Sequence, residues 1–594
     1  MDSPGILSVR HLALCLSAVL SVAFVELKYP PLRGTAANRS FQSISSAQGP
    51  APTPIVLTAS RIDSHSVDLH WIDPQGNQVF AGYEIFRNGQ KLANGDWNAG
   101  PYFRDSHVSP SQTYTYAVAT FDKSGHHSSQ SRSITIKTLA NGSGNKYTIS
   151  STDSPATIYG ILDNAGCGDT VSIDPGIYSV ANGHAAMIYI KDKRCTTNNL
   201  YIIQASDPNN PPVFDYTGYL LDGQQTPVPN HWTPWESDFF RAAWQVRNSS
   251  YVVLDGLRIK GARSGSTDAV AGVRYLATDH ISIRHCVFER NYDGLEGDGT
   301  NTVVEYNTFL ANGYPGEDQQ HQFYDTGGDT LTVRYNYFND DGCEECGQNL
   351  HIRSWHSAIY GNWLQDGSDY EWDMMTPPAH YPSPSDGTMT QQFYNNVVVT
   401  SPHPRNTSKV FTFYADGTGM ANGKMKLDAE WNTFWISAPP GILNNYSIFQ
   451  ISNYSSGSNK IAGIELHFTN NIVHFAGTSS WRKSKPQLFV VMDEGPWFID
   501  GSNNWFDSAL ANPCAPASRS SGGSCQITNS TSGDTPSFRN LAGMDLRPVT
   551  GNHPFGPADT GQLLKSPNQQ FPAGPANVRP RISFDDVGAL QYSQ

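Results

Sequence analysis

The chain has 594 residues, too many for one ordinary domain, with 38% hydrophobic and only 15% charged residues. Its 52 glycines and its many Asn, Ser and Thr residues suit an all-β protein rich in turns. A formal net charge of −14 without a long basic run argues against nucleic acid as a partner, and an acidic polysaccharide would have to meet local basic groups or a bridging cation.

At the N-terminus, Arg10 and His11 precede an apolar run from Leu12 to Val25. That run has the length of a signal-peptide core and is shorter than a membrane span. Ser21-Val22-Ala23 offers a cleavage site, and a retained signal anchor is the alternative. No later segment could span a bilayer, so the protein is expected to be secreted or held at the cell surface, as a monomer. Cysteine usage agrees with export. Cys167/Cys195, Cys343/Cys346 and Cys514/Cys525 lie close enough in sequence for local disulfides, with Cys286 left over and expected to be buried. A metal role for Cys343 and Cys346 has no second pair to complete it.

Residues 26–51 are Ser-, Ala- and Pro-rich and read as a linker. From 52 to 139, short alternating runs recur, such as Ser66–Trp71, Gly82–Arg87 and Tyr114–Ala119. Asn88-Gly89 after the second run signals a hairpin. With an early Trp and paired late Tyr residues, this stretch resembles a fibronectin type III domain, which implies a β-sandwich spacer or sugar-binding accessory. Residues 140–146 form a second linker.

Residues 147–594 carry an internal repeat. Ile281–Phe288, Thr302–Phe309, Leu331–Phe338 and Ser357–Leu364 align, and further copies centre on Asn396, Asn432, Asn471 and Asn504. Each copy alternates apolar and polar residues, then places Asn, or Cys286 in one case. A minimum unit with variable insertions indicates a solenoid of short strands. Asn tolerates the left-handed backbone that a coil turn demands, and stacked Asn side chains can hydrogen-bond along the axis. Gly168–Tyr178 is similar to the opening rung of pectin-lyase-like proteins. Asp559-Thr560-Gly561 and Asp586–Ala589 are similar to the closing segment of bacterial members. The resemblance to pectate-lyase-like right-handed parallel β-helices implies an all-β solenoid behind the front sandwich.

In that superfamily the substrate lies along one outer sheet, here the strand before each Asn. Alternation places Leu350, Ile352, Trp372, Phe411 and Phe413 inward. Glu296, Asp298, Gln322, Tyr324, His351, Arg353, Glu371, Asp373, Thr412 and Tyr414 are then expected outward, with Arg353 between Tyr324 and Asp373 and His351 between Gln322 and Glu371. Gly347–Ser354 resembles a segment of bacterial right-handed β-helix proteins that reads Gly-His-x-x-Lys-Ser-Arg-Ala. Arg353 matches, but His351 stands where the Lys would, so a catalytic Lys is not carried over.

Two chemistries suit this face. A polysaccharide lyase would use His351 as base, Arg353 to neutralise a uronate carboxylate and Tyr324 as acid. A glycoside hydrolase would use the carboxylates of Glu371 and Asp373. Glu296, Asp298, Gln322, Arg405, Lys409 and Tyr414 are candidate substrate-binding residues, with Lys424 and Lys426 extending a basic patch. Asp340-Asp341, Glu344-Glu345 and Glu296 with Asp298 offer oxygen ligands for Ca²⁺, without a diagnostic spacing. A non-catalytic glycan-binding adhesin is the reading from another class.

Overall fold

The computed structural model describes residues between 57 and 548, apart from connecting stretches that include 222–241, 264–269, 314–319, 340–346, 401–408 and 416–422. The N-terminal apolar run, Cys343, Cys346, the acidic clusters at 340–345, Arg405 and the closing segments beyond 548 lie outside the described residues.

Seven antiparallel strands come first, three in one sheet and four in another. Val67, Leu69 and Trp71 alternate inward from the first sheet, and Tyr83, Ile85, Tyr116 and Val118 from the second. Trp71 meets the Tyr83 ring edge-on, with centroids 4.9 Å apart. The hairpin signal is realised: Asn88 and Gly89 take φ of 53° and 77°, which only such residues adopt cheaply. Tyr116 donates its hydroxyl proton to buried Asp105, 2.7 Å away.

From Lys146 to Gly533 the described strands form three parallel sheets of 13, 12 and 10 strands, and Phe538–Asn540 then pairs antiparallel with Asp545–Pro548. Each sheet takes every third strand, so each coil contributes one rung to each sheet and the chain is a parallel β-helix. Inward apolar residues stack on their counterparts a rung away: Phe288 on Phe309 at 4.9 Å, and Phe309 on Phe338 at 4.6 Å. Most of the solenoid's apolar interior forms one continuous core. One helix, Pro155–Asn164, was not foreseen from the strand pattern. Ser154 caps it by accepting from Thr157 N, and it buries Ile158 and Leu162.

The repeated Asn residues do fall at equivalent turns. Asn307, Asn336, Asn362, Asn396, Asn432, Asn471 and Asn504 are each at most 1% exposed. Each of the first six donates Nδ2 to the next Oδ1 at 3.0–3.2 Å, and each next Oδ1 also accepts the previous backbone N–H. Cys286 heads the ladder through its own N–H to Asn307 Oδ1, and is free and buried. The left-handed residue is the one before each ladder position, such as His285, Tyr306, Tyr335, Gly361 and Asn395. The ladder Asn is selected for its amide, which both donates and accepts, rather than for tolerance of positive φ. Disulfides join Cys167 to Cys195 and Cys514 to Cys525, as expected.

Candidate functional site

The ten-stranded sheet carries the polar face. Its outward row follows from strand register: Tyr189, Gln245, Arg274, Glu296, Tyr324, His351, Asp373, Thr412 and Gln450 stand on successive rungs. Parallel strands are about 4.8 Å apart, so neighbouring side chains in this row stand side by side. Phe323, Leu350, Trp372 and Phe411 fix the register by stacking inside the coil directly before this row.

At the centre, the rings of His321, Tyr324 and His351 form a triangle. Tyr324 and His351 have centroids 4.5 Å apart, His321 and His351 4.8 Å, and His321 and Tyr324 4.9 Å. Asp373 Oδ2 lies 3.9 Å from His351 Nδ1. Neither ring nitrogen of His351, nor Nδ1 of His321, has a hydrogen-bond partner. Burial holds His321 down to about 3. Burial, with His321 and Arg353 nearby, keeps His351 well below the usual histidine range. Both rings are therefore neutral at neutral pH. Burial raises the Tyr324 phenol, while a hydrogen bond and the charge of Arg353 pull it back.

Carboxyl groups flank the triangle. Asp293 is fully buried, accepts from His321 N at 2.7 Å and titrates well above an ordinary carboxyl because of burial and Glu296. Glu296 sits 3.2 Å from Arg274 Nε, at ion-pair distance but out of line for a hydrogen bond. Asp325 points inward and accepts the N–H groups of Arg353 and Ser354 at 3.1 and 2.7 Å; burial lifts it to about 7.

Several expected positions change. His351, not Arg353, stands between Tyr324 and Asp373. Arg353 follows the strand end, bonds Tyr324 and donates Nε to Thr376 O at 3.0 Å. Gln322 and Glu371 do not face outward. Gln322 is 1% exposed and exchanges hydrogen bonds with Asn312, which in turn pairs with Asn291. Glu371 is 1% exposed and accepts from Asn349 Nδ2 at 2.6 Å and Gly367 N at 3.0 Å. These residues make a second internal polar array at the coil corner before the sheet, where two consecutive residues turn inward and strict alternation fails. Glu371 and Asp373 therefore do not share a face as a hydrolytic pair.

The remaining candidates scatter. Asp298 accepts from Ala277 N and bonds Tyr381. Lys409 lies over the Tyr370 ring at 4.4 Å and Tyr414 is half-buried on the same strand. Lys424 and Lys426 belong to the 13-stranded sheet, paired with Glu465 and Asp428, so no single patch joins them to Lys409. Among the described residues, no group of three or more His, Cys, Asp or Glu is placed to hold a metal ion. Sequence reasoning missed Gln245, Arg274, Asp293 and His321. Asp293 and His321 were legible only as neighbours of chosen residues, and Gln245 and Arg274 precede the first rung that was read.

No family model matches the chain. It is 30% identical to an alpha-amylase of Niallia circulans over 135 residues, 23% of this chain and 10% of the amylase. It is 33% identical to chitinase Chi52 of Paenibacillus xylanexedens over 96 residues, 16% of this chain and 18% of the chitinase. The chain thus spans less than a fifth of either curated relative. Among solved structures, it is similar to the catalytic unit of a GH87 alpha-1,3-glucanase from Streptomyces thermodiastaticus, at 12% identity and a TM-score of 0.36, covering 80% of this chain and 88% of that one.

Proposed function

We propose that this is a secreted, carbohydrate-active protein that cleaves a uronate-containing polysaccharide by β-elimination on the outer face of the ten-stranded sheet. The observation that carries the reading is the Tyr324–His351–Asp373 row, with a neutral imidazole beside a phenol held by an arginine. His351 takes the proton from the carbon next to the uronate carboxylate. The electron pair forms the new carbon–carbon double bond and expels the glycosidic oxygen, which takes the Tyr324 proton. Arg353 offsets the charge of the carbanion as it spreads into the carboxylate. Burial makes His351 a weak base in the free protein, and an entering carboxylate would strengthen it. Residues 52–139 are read as a fibronectin-type accessory module and residues 147–594 as the working domain. Two disulfides fit an oxidising compartment, and no helix of the described residues is long and apolar enough to cross a membrane.

The test is absorbance of the unsaturated uronate product, run on pectate, alginate and glycosaminoglycans. His351→Ala should lower turnover by roughly 10²-fold or more, the scale of a lost general base. Arg353→Lys should lower it about tenfold or more, because Lys lacks the two-pronged contact. Reducing ends without that absorbance would mean hydrolysis, and glycan binding without cleavage would mean an adhesin. Either result refutes the elimination.

A further inference from the structure

The outward row continues past the reactive triangle toward the N-terminal end of the solenoid, and there its hydrogen-bonding is incomplete. Gln245 is 2% exposed and Arg274 8% exposed, yet Gln245 Nε2 and Arg274 Nε and Nη1 make no hydrogen bond. A buried donor left unmade is unfavourable, and three on adjacent rungs point to a partner from outside the chain. The two residues are in register with each other and with Glu296. On the other side of Gln245 stands the half-buried ring of Tyr189.

We infer that Gln245 and Arg274 form a subsite for an uncharged sugar, three and two rungs from Tyr324 on the same sheet. The inference rests on the reading of that sheet as a polysaccharide-binding face and adds the chemistry of one position on it. Charge decides the ligand class. Arg274 already lies beside Glu296, so its charge is balanced. A second carboxylate here would be pushed away by Glu296. A hydroxyl group instead accepts from Gln245 and Arg274 while donating to Glu296, and the Tyr189 ring offers an apolar surface to the C–H face of a pyranose. Rungs about 4.8 Å apart suit successive sugars of an extended chain lying along the axis. The preferred substrate is then a glycan whose uronates are separated by neutral sugars.

Gln245→Leu tests this, because Leu is of similar size and has no donor to leave unmade. Its melting temperature, without ligand, should equal or exceed that of the unaltered protein. A fall of several degrees would mean that Gln245 is structural and would overturn the subsite. Calorimetric titration uses two probes of equal length: all-uronate oligosaccharides, and fragments in which neutral sugars separate the uronates. The mixed fragments should bind the unaltered protein more tightly, and Gln245→Leu should weaken them about tenfold while leaving the all-uronate series unchanged. An equal loss for both series would make the position an anion site. No loss for either would empty the subsite while the reading of the face stands. If neither probe binds the unaltered protein at all, that reading falls and the subsite with it.

Discussion

Replacing Asn362 with Ala removes four hydrogen bonds at one point in the middle of the solenoid. Asn362 Nδ2 donates to Val333 O at 2.9 Å and to Asn396 Oδ1 at 3.0 Å, while its Oδ1 accepts from Asn336 N at 2.9 Å and Asn336 Nδ2 at 3.0 Å. The residue is fully buried, so water cannot replace the lost partners. At about 1 kcal/mol net per bond, with a further charge for the buried groups left alone, the loss comes to about 4–6 kcal/mol. Ser530→Ala is the internal comparison. It deletes two contacts, from Asn504 N at 3.2 Å and to Thr528 O at 3.1 Å, at the partly exposed end of the same ladder, where water replaces them, and should cost about 1 kcal/mol or less. Urea unfolding at fixed pH, followed by far-ultraviolet circular dichroism, gives both values. If Asn362→Ala stays within about 1 kcal/mol of the unaltered protein, the ladder is not a source of stability and the argument from its amides fails.

Acid should destabilise the fold through His321, whose folded value of about 3 lies below the unfolded value of 6.5. The unfolded chain takes the proton first, so stability is intact above pH 6.5 and falls as pH drops toward 3; at pH 5 the loss is about 2 kcal/mol, and His321→Gln should shrink the difference between pH 8 and pH 5 unfolding free energies by that amount. Glu371→Gln should leave turnover unchanged, because its carboxylate is spent on Asn349 and Gly367, whereas a drop matching Asp373→Asn in the same absorbance assay would return it to the reaction.

The fold was legible because the solenoid repeats one chemical requirement at one place. Each coil from Asn307 to Asn471 uses an amide that donates up the axis and accepts from below, and Asn is the short side chain that does both. That makes Asn336 and Asn432 visible despite insertions of unequal length between them. The second array offers no such signal. Asn291, Asn312, Gln322, Asn349 and Glu371 meet the same need with three residue types of different lengths, so nothing recurs in the sequence. Its first two members do stand five residues after Cys286 and Asn307, a spacing that links the two arrays. Misreading that corner turned Gln322 and Glu371 outward and moved Arg353 into the place that register gives to His351.

The contrast between the inside and the outside of the coil is itself an argument about function. Within the ladder each amide from Asn307 to Asn471 both donates and accepts, at 1% exposure or less. On the outer row, Gln245, Arg274 and His351 are also buried but keep nitrogen atoms without partners. Stability alone would favour apolar residues there, since an apolar side chain of the same size avoids the penalty of an unmade donor. The Asn ladder thus satisfies its amides, whereas Gln245, Arg274 and His351 on the outer row keep nitrogen atoms unmet. Groups held in place but not engaged by the fold are preorganised for something that arrives later. On the proposed reading that something is a polysaccharide running parallel to the axis, since Gln245, Arg274 and His351 are spaced by the rungs.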